Sequence, residues 1–137
     1  MADVMMQLGG VGELYNRGDY PGGLLRIGEI WDSIPEPKTD TPNSYLLLEY
    51  AVKIAMQVGD LDEAWRWALL APAYNRQRQD LGEAEFLVGK VAFERGDMEV
   101  ARNQLRIADE KSRGRIFLGE DPKYKASITF EAGTRQR

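Results

Sequence analysis

Carboxylates stand close together in the sequence, Asp60 with Asp62 and Glu83 with Glu85 among them. Paired carboxylates can divide acid and base duties, but only where their surroundings push the two pKa values apart. Neither pair is embedded in an apolar pocket signature of that kind. Asp60-x-Asp62 opens like a calcium loop and lacks the remaining ligands. Its position, after a glycine and before a periodic apolar run, suits a helix cap followed by a first-turn acid, both favourable to the helix dipole. The 137 residues include no histidine and no cysteine. That excludes Cys/His zinc sites, thiol nucleophiles, disulfides and any triad with an imidazole base. No glycine-rich loop of the phosphate-cradling type occurs. The chain is expected to be non-catalytic, with no cofactor and no metal.

Side chains suited to recognition are more plentiful. Trp65 and Trp67 flank Arg66. Two positions apart, they cannot share one helical face. One is expected to pack inward and the other to stay half exposed, as core packing or as an interface anchor of the kind Trp often supplies. Tyr74, Arg76 and Arg78 follow and extend that surface. Residues 1–63 carry 11 acidic and 4 basic side chains, residues 64–137 carry 11 and 14, so the halves differ in sign. The late excess includes Arg102, Arg106, Lys111, Arg113, Arg115, Lys123 and Lys125. It reads either as a solvated face or as a bipolar surface that steers a charged partner. Trp67, Arg76, Arg113 and Arg115 are therefore one candidate binding surface.

Composition sets the frame. With 43% hydrophobic and 29% charged residues, the chain reads as globular. At roughly 100–200 residues per domain, residues 1–137 are expected to form one domain. A net charge of −4 argues against general nucleic-acid binding. Asp3 lies where an export signal would carry a basic residue. No run approaches the roughly 18 apolar residues that span a bilayer. A cytoplasmic protein without membrane or nucleic-acid partners is expected.

The elements that must position these side chains are marked by a repeat. GDYPGG (18–23), GDLDEA (59–64) and GDMEVA (96–101) share the form Gly-Asp-apolar-x-x-small. Gly ends one helix in a left-handed conformation. Asp caps the next by accepting from a free backbone N–H. The small residue lets two helices approach. Helices are expected near 3–16, 19–33, 43–58, 60–76, 79–95 and 97–113. Leu47, Leu48, Ala51, Ile54 and Ala55 give a clear helical stripe. The first helix carries Gly9, Gly10 and Gly12, each costing up to about 1 kcal/mol relative to Ala, and is expected to be short, frayed or ordered by a partner. A further helix is expected to begin near Asp121-Pro122, with Pro in the first turn, and Ile116 and Phe117 are expected to cover the open apolar end.

This pattern resembles the tetratricopeptide repeat, a helix–turn–helix unit of about 34 residues. In that family one small residue follows the turn and another comes a helical heptad later. Ala64 with Ala71 and Ala101 with Ala108 match, and Val88-Gly89 matches the family's Leu-Gly pair. Pro35 falls where the family's closing proline belongs. The first unit has Gly23 and Ile30 instead of the small pair, and the second has Ala51-Val52 instead of Leu-Gly. The Gly-Asp pairs lie 41 and 37 residues apart. The extra residues are assigned to the polar loops at 35–43 and 75–80. The resemblance implies an all-α fold, a right-handed α-solenoid of helical hairpins with units at about 4–35, 45–78 and 82–113, and a cap at 114–137.

It also implies a binding groove lined by the first helix of each unit. Carried over, the groove positions include Leu8 and Tyr15, then Leu46, Glu49, Lys53 and Met56, then Phe86, Lys90, Phe93 and Glu94. Phe86 and Phe93 are equally compatible with core. The subgroup that clamps the acidic C-terminus of heat-shock chaperones needs Lys, Arg and Asn where this chain has Leu8, Gly12, Tyr50, Glu83 and Leu87, so that activity is rejected. The implied function is non-catalytic binding of a protein partner by an adaptor or an inhibitor of the immunity or antitoxin type, similar in size and class to bacterial immunity proteins that neutralise a toxin. The alternative is a scaffold or assembly subunit of a secretion or tail apparatus. Homo-oligomerisation stays open.

Overall fold

The computed structural model describes residues 3–76 and 80–135, with side chains as far as Thr129. The three Gly-Asp pairs form the same turn. Gly18, Gly59 and Gly96 take φ of 79°, 81° and 85°. In each turn the Asp N–H reaches back to a carbonyl of the preceding helix. Asp19 donates to Leu14, Asp60 to Ala55 and Asp97 to Ala92, each at 2.9 Å. This is the Schellman closure, which satisfies carbonyls that a helix end leaves free. Asp19 then caps forward by accepting from the Gly22 N–H at 3.0 Å, and Asp60 from the Glu63 N–H at 3.1 Å. Asp97 does not: its side chain makes no capping hydrogen bond, contrary to the expectation from the motif.

The resulting helices are α1 (Val4–Asn16), α2 (Tyr20–Ser33), α3 (Ser44–Gln57), α4 (Leu61–Ala68), α5 (Glu83–Arg95), α6 (Met98–Ser112) and α7 (Pro122–Arg135). No strand occurs among the described residues, so the fold is all-α there. Each helix packs against the next, and α3 also touches α1 and α5. The small residues lie where helices meet. Ala64, Ala71, Ala101 and Ala108 are fully buried, and a Cβ on Gly89 would stand 2.9 Å from Leu105 of α6. One core runs from α1 to α5, with Ile27, Ile30, Leu47, Leu48 and Ile54 inside it. Burying each such side chain contributes about 1.5–3 kcal/mol. A second cluster joins Phe86, Leu105 and Ala108 to Tyr124 and Ile128 of α7, with Ile116 and Phe117 packed against it. The C-terminal segment thus covers the end of the stack.

Two boundaries, and the order of the first helix, differ from the sequence expectation. The helix expected over 60–76 stops at Ala68 and is followed by a 3-10 segment, Ala71–Arg76. Pro72 has no N–H to donate to the Ala68 carbonyl and would clash with it. The helix expected from 79 begins at Glu83, because Gly82 takes φ of 91° and lies against Ala108, whose carbonyl oxygen would be 2.9 Å from an added Cβ. The glycine-rich first helix is continuous over 13 residues. Asp3 caps it, accepting from the Met5 N–H at 2.9 Å. Val4, Leu8 and Val11 bury its inner stripe, while Gly9, Gly10 and Gly12 face open space. No helix among the described residues is long and apolar enough to cross a membrane.

Candidate functional site

Five of the expected groove residues line one cleft of about 510 Å³. From α3 come Glu49, Lys53 and Met56, one helical turn apart in succession. Phe86 and Lys90 of α5 face them, with Val52 and Leu87 below. Lys53 and Lys90 are separated by the same 37 positions as the second and third Gly-Asp pairs, so the turn register sets both ammonium groups on the same cleft. Each lies over an aromatic ring. Lys53 Nζ is 5.0 Å from the Tyr15 centroid and Lys90 Nζ is 5.1 Å from that of Phe86. Such contacts hold a cation without removing its charge. Lys90 also lies 3.5 Å from Glu120. The cleft therefore offers a mixed surface: two cations, carboxylates, a methionine and an aromatic edge. That mixture suits protein recognition, with apolar anchors and charges that orient.

The remaining groove candidates do not lie in the cleft. Leu8 is a correction: at 8% exposure it belongs to the core beneath α1, because its position on α1 shares the buried stripe with Val4 and Val11. Leu46 is half-buried against the same core. Tyr15 is held between units, its hydroxyl donating to Gln57 Oε1 at 2.7 Å and its ring 5.3 Å from Tyr20. Phe86, at 5% exposure, serves core and cleft wall together. Phe93 and Glu94 are engaged by α7. The Phe93 ring packs edge-on to Tyr124 at 5.3 Å, and Glu94 Oε2 takes the Tyr124 hydroxyl proton donor and Lys123 Nζ, both at 2.7 Å. The chain's own cap thus fills the third unit's end of the expected groove.

The alternative surface is divided among clefts. Trp67 is buried, its Nε1–H donating to Glu63 Oε2 at 3.1 Å, and it meets Trp31 edge-to-face at 5.7 Å. This pair floors a cleft of about 600 Å³ between α2 and α4, lined also by Leu24, Leu25, Gly28, Asp32 and Leu70. Trp65 is partly buried, with the Arg95 guanidinium 5.2 Å over its ring. Arg76 lines a neighbouring cleft of about 480 Å³ with Tyr74. Arg113 and Arg115 line another of about 340 Å³ beside Lys111, which shares no residue with the other two. Trp67 and Arg76 therefore do not form one surface with Arg113 and Arg115. Arg78 lies outside the described residues.

The carboxylate pairs are held structurally. Asp62 meets Arg95 at 2.9 Å, linking α4 to α5. Glu85 is buried and takes Lys111 Nζ at 2.9 Å and Asn75 Nδ2 at 3.1 Å on one oxygen. Asp80, 2.7 Å away, shares that lysine and is the main cause that holds the Lys111 ammonium above its usual pKa. Among the described residues no three acidic side chains converge as a metal would require.

Two cleft residues escaped sequence reading. Ile116 closes the cleft beside Phe86, and Glu120 supplies the acid facing Lys90. Ile116 carried an apolar signal as a cap; Glu120 carried none, since only the path of the chain after α6 brings it there. Comparison of the chain with protein-family models, curated proteins and solved structures finds no match in any of the three.

Proposed function

We propose that this chain is a non-catalytic protein-binding module, a right-handed solenoid of tetratricopeptide-like hairpins with a C-terminal cap, which holds a partner protein in the cleft between α3 and α5. The observation that carries this reading is the gathering of Glu49, Lys53, Met56, Phe86 and Lys90 on one cleft. Those are five of the positions that the repeat register assigns to partner contact. The repeated Schellman turns and buried small residues support the repeat reading itself. The proposed role is that of an adaptor or an inhibitor of the immunity type, acting in the cytoplasm on one cognate protein.

The test begins with affinity capture of the full chain from its native host. One dominant protein and no nucleic acid should be recovered. The purified chain should show no turnover of nucleotide, ester or phosphate substrates. Robust turnover abolished by a carboxylate substitution would overturn the reading and make the protein an enzyme.

A further inference from the structure

We infer that the cleft between the start of α5 and the end of α6 is a binding site for a small organic carboxylate, held by Arg113 and Arg115. The turn after α6 is the first observation. It repeats the closure of the three Gly-Asp turns, the Gly114 N–H donating to the Asp109 carbonyl at 3.0 Å. The position that Gly18, Gly59 and Gly96 fill is here Arg113, at φ of 54°. A left-handed backbone costs arginine more than glycine. Asn43 is the other described residue with a side chain at positive φ, and asparagine adopts that conformation more readily than most. Nothing inside the fold compensates the arginine. Among the described residues its side chain makes no hydrogen bond and no ion pair. A strained position whose side chain has no internal partner points to a ligand.

The neighbours show which kind. Arg115 is exposed, also makes no ion pair among the described residues, and lines the same cleft of about 340 Å³, a volume at the small end of ligand pockets. Ser112 lines it too, at 8% exposure. Its oxygen accepts from the Ile116 N–H at 3.2 Å, while its hydroxyl hydrogen has no acceptor among the described residues. Two guanidinium groups and a buried hydroxyl thus face one space with donors to spare. The other charges there are engaged. Lys111 is taken by Asp80 and Glu85, and Glu83 accepts from the Leu81 N–H at 3.3 Å. With Asp80 and Glu85 counted, three cations meet three carboxylates, so no net field draws a highly charged ligand. What remains is directional: planar guanidinium forks that match a carboxylate through paired hydrogen bonds. Leu81, 42% exposed, and half-buried Ile116 add an apolar wall for the rest of the molecule. The cleft shares Glu83 and Ile116 with the α3–α5 cleft, but carboxylate binding requires no partner protein there.

The test titrates the full chain with hexanoate, hexyl phosphate and hexylammonium, followed by amide NMR shifts. Hexanoate should bind saturably and more tightly than hexyl phosphate, and hexylammonium should not bind. Arg115→Ala should weaken hexanoate binding by about tenfold or more, as loss of a charged hydrogen-bond donor does. Arg113→Gly should weaken it likewise while raising Tm, because the left-handed strain is relieved. Arg76→Ala, at an exposed arginine in a separate cleft, should leave affinity unchanged. Full affinity in Arg113→Gly and Arg115→Ala, equal loss in Arg76→Ala, tighter binding of hexyl phosphate, or a lowered Tm in Arg113→Gly would each overturn the proposal. So would failure of hexanoate to bind. If the captured partner were then lost in Arg115→Ala, the guanidinium groups would belong to the protein interface instead.

Discussion

Tyr124 donates a 2.7 Å hydrogen bond to the same Glu94 oxygen that Lys123 approaches at 2.7 Å, and this pins α7 to α5. Burial pushes the Glu94 carboxyl up, but the hydrogen bonds from Lys123 and Tyr124 and the lysine charge outweigh it and hold the pKa below its ordinary value of 4.5. A carboxylate lowered on folding stabilises the fold above its unfolded pKa, and that contribution is lost as pH falls through the folded value. Glu94→Gln should therefore flatten the fall in Tm between about pH 6 and about pH 3. Parallel curves for wild type and variant would show that the pin adds nothing.

Gly82 and Gly59 separate conformational strain from crowding. Both have left-handed φ, but only Gly82 faces a neighbour, the Ala108 backbone. Gly59→Ala should lose about 1–2 kcal/mol, the cost of a left-handed alanine. Gly82→Ala should lose more, because a backbone carbonyl cannot swing aside. Urea unfolding of both variants is the check, and equal losses would contradict the close contact between Gly82 and α6.

Ala64 and Ala101 have no exposed surface, and the repeat reading sets both at helix crossings. Replacement by Leu should destabilise by about 1–3 kcal/mol through overpacking. Gly28→Leu is the opposite control: with open space above it, the change should raise stability by up to about 1 kcal/mol through helix propensity. Unchanged Tm in both alanine variants would mean that the small residues are not at tight crossings.

The turns were legible because glycine and aspartate each have a local reason to be there, independent of the rest of the chain. Helix ends were legible only where that local chemistry was read. Pro72 carried its own stop signal, while Gly82 needed Ala108 from α6 to explain it. The lining of the cleft was legible at Lys53, Met56 and Lys90, whose register follows from the turns. It was not at Phe93 and Glu94, since nothing in their own helix says that Tyr124 will lie across them. Leu8 misled because its place on α1 falls on the buried stripe with Val4 and Val11 rather than on the cleft side.

The central claim, partner binding in the α3–α5 cleft, is tested most directly by the affinity of the captured partner across two sets of variants, with Tm as a control. Phe93 is a poor probe because Tyr124 covers it. Lys53→Glu and Met56→Ala should each weaken binding by about 1–2 kcal/mol or more, as contacts near an interface centre do. Arg76→Ala, exposed and in a cleft that shares no residue with this one, should stay within about 0.5 kcal/mol of wild type. Full affinity in the Lys53 and Met56 variants, with the loss confined to Arg76, would place the partner elsewhere and contradict the account.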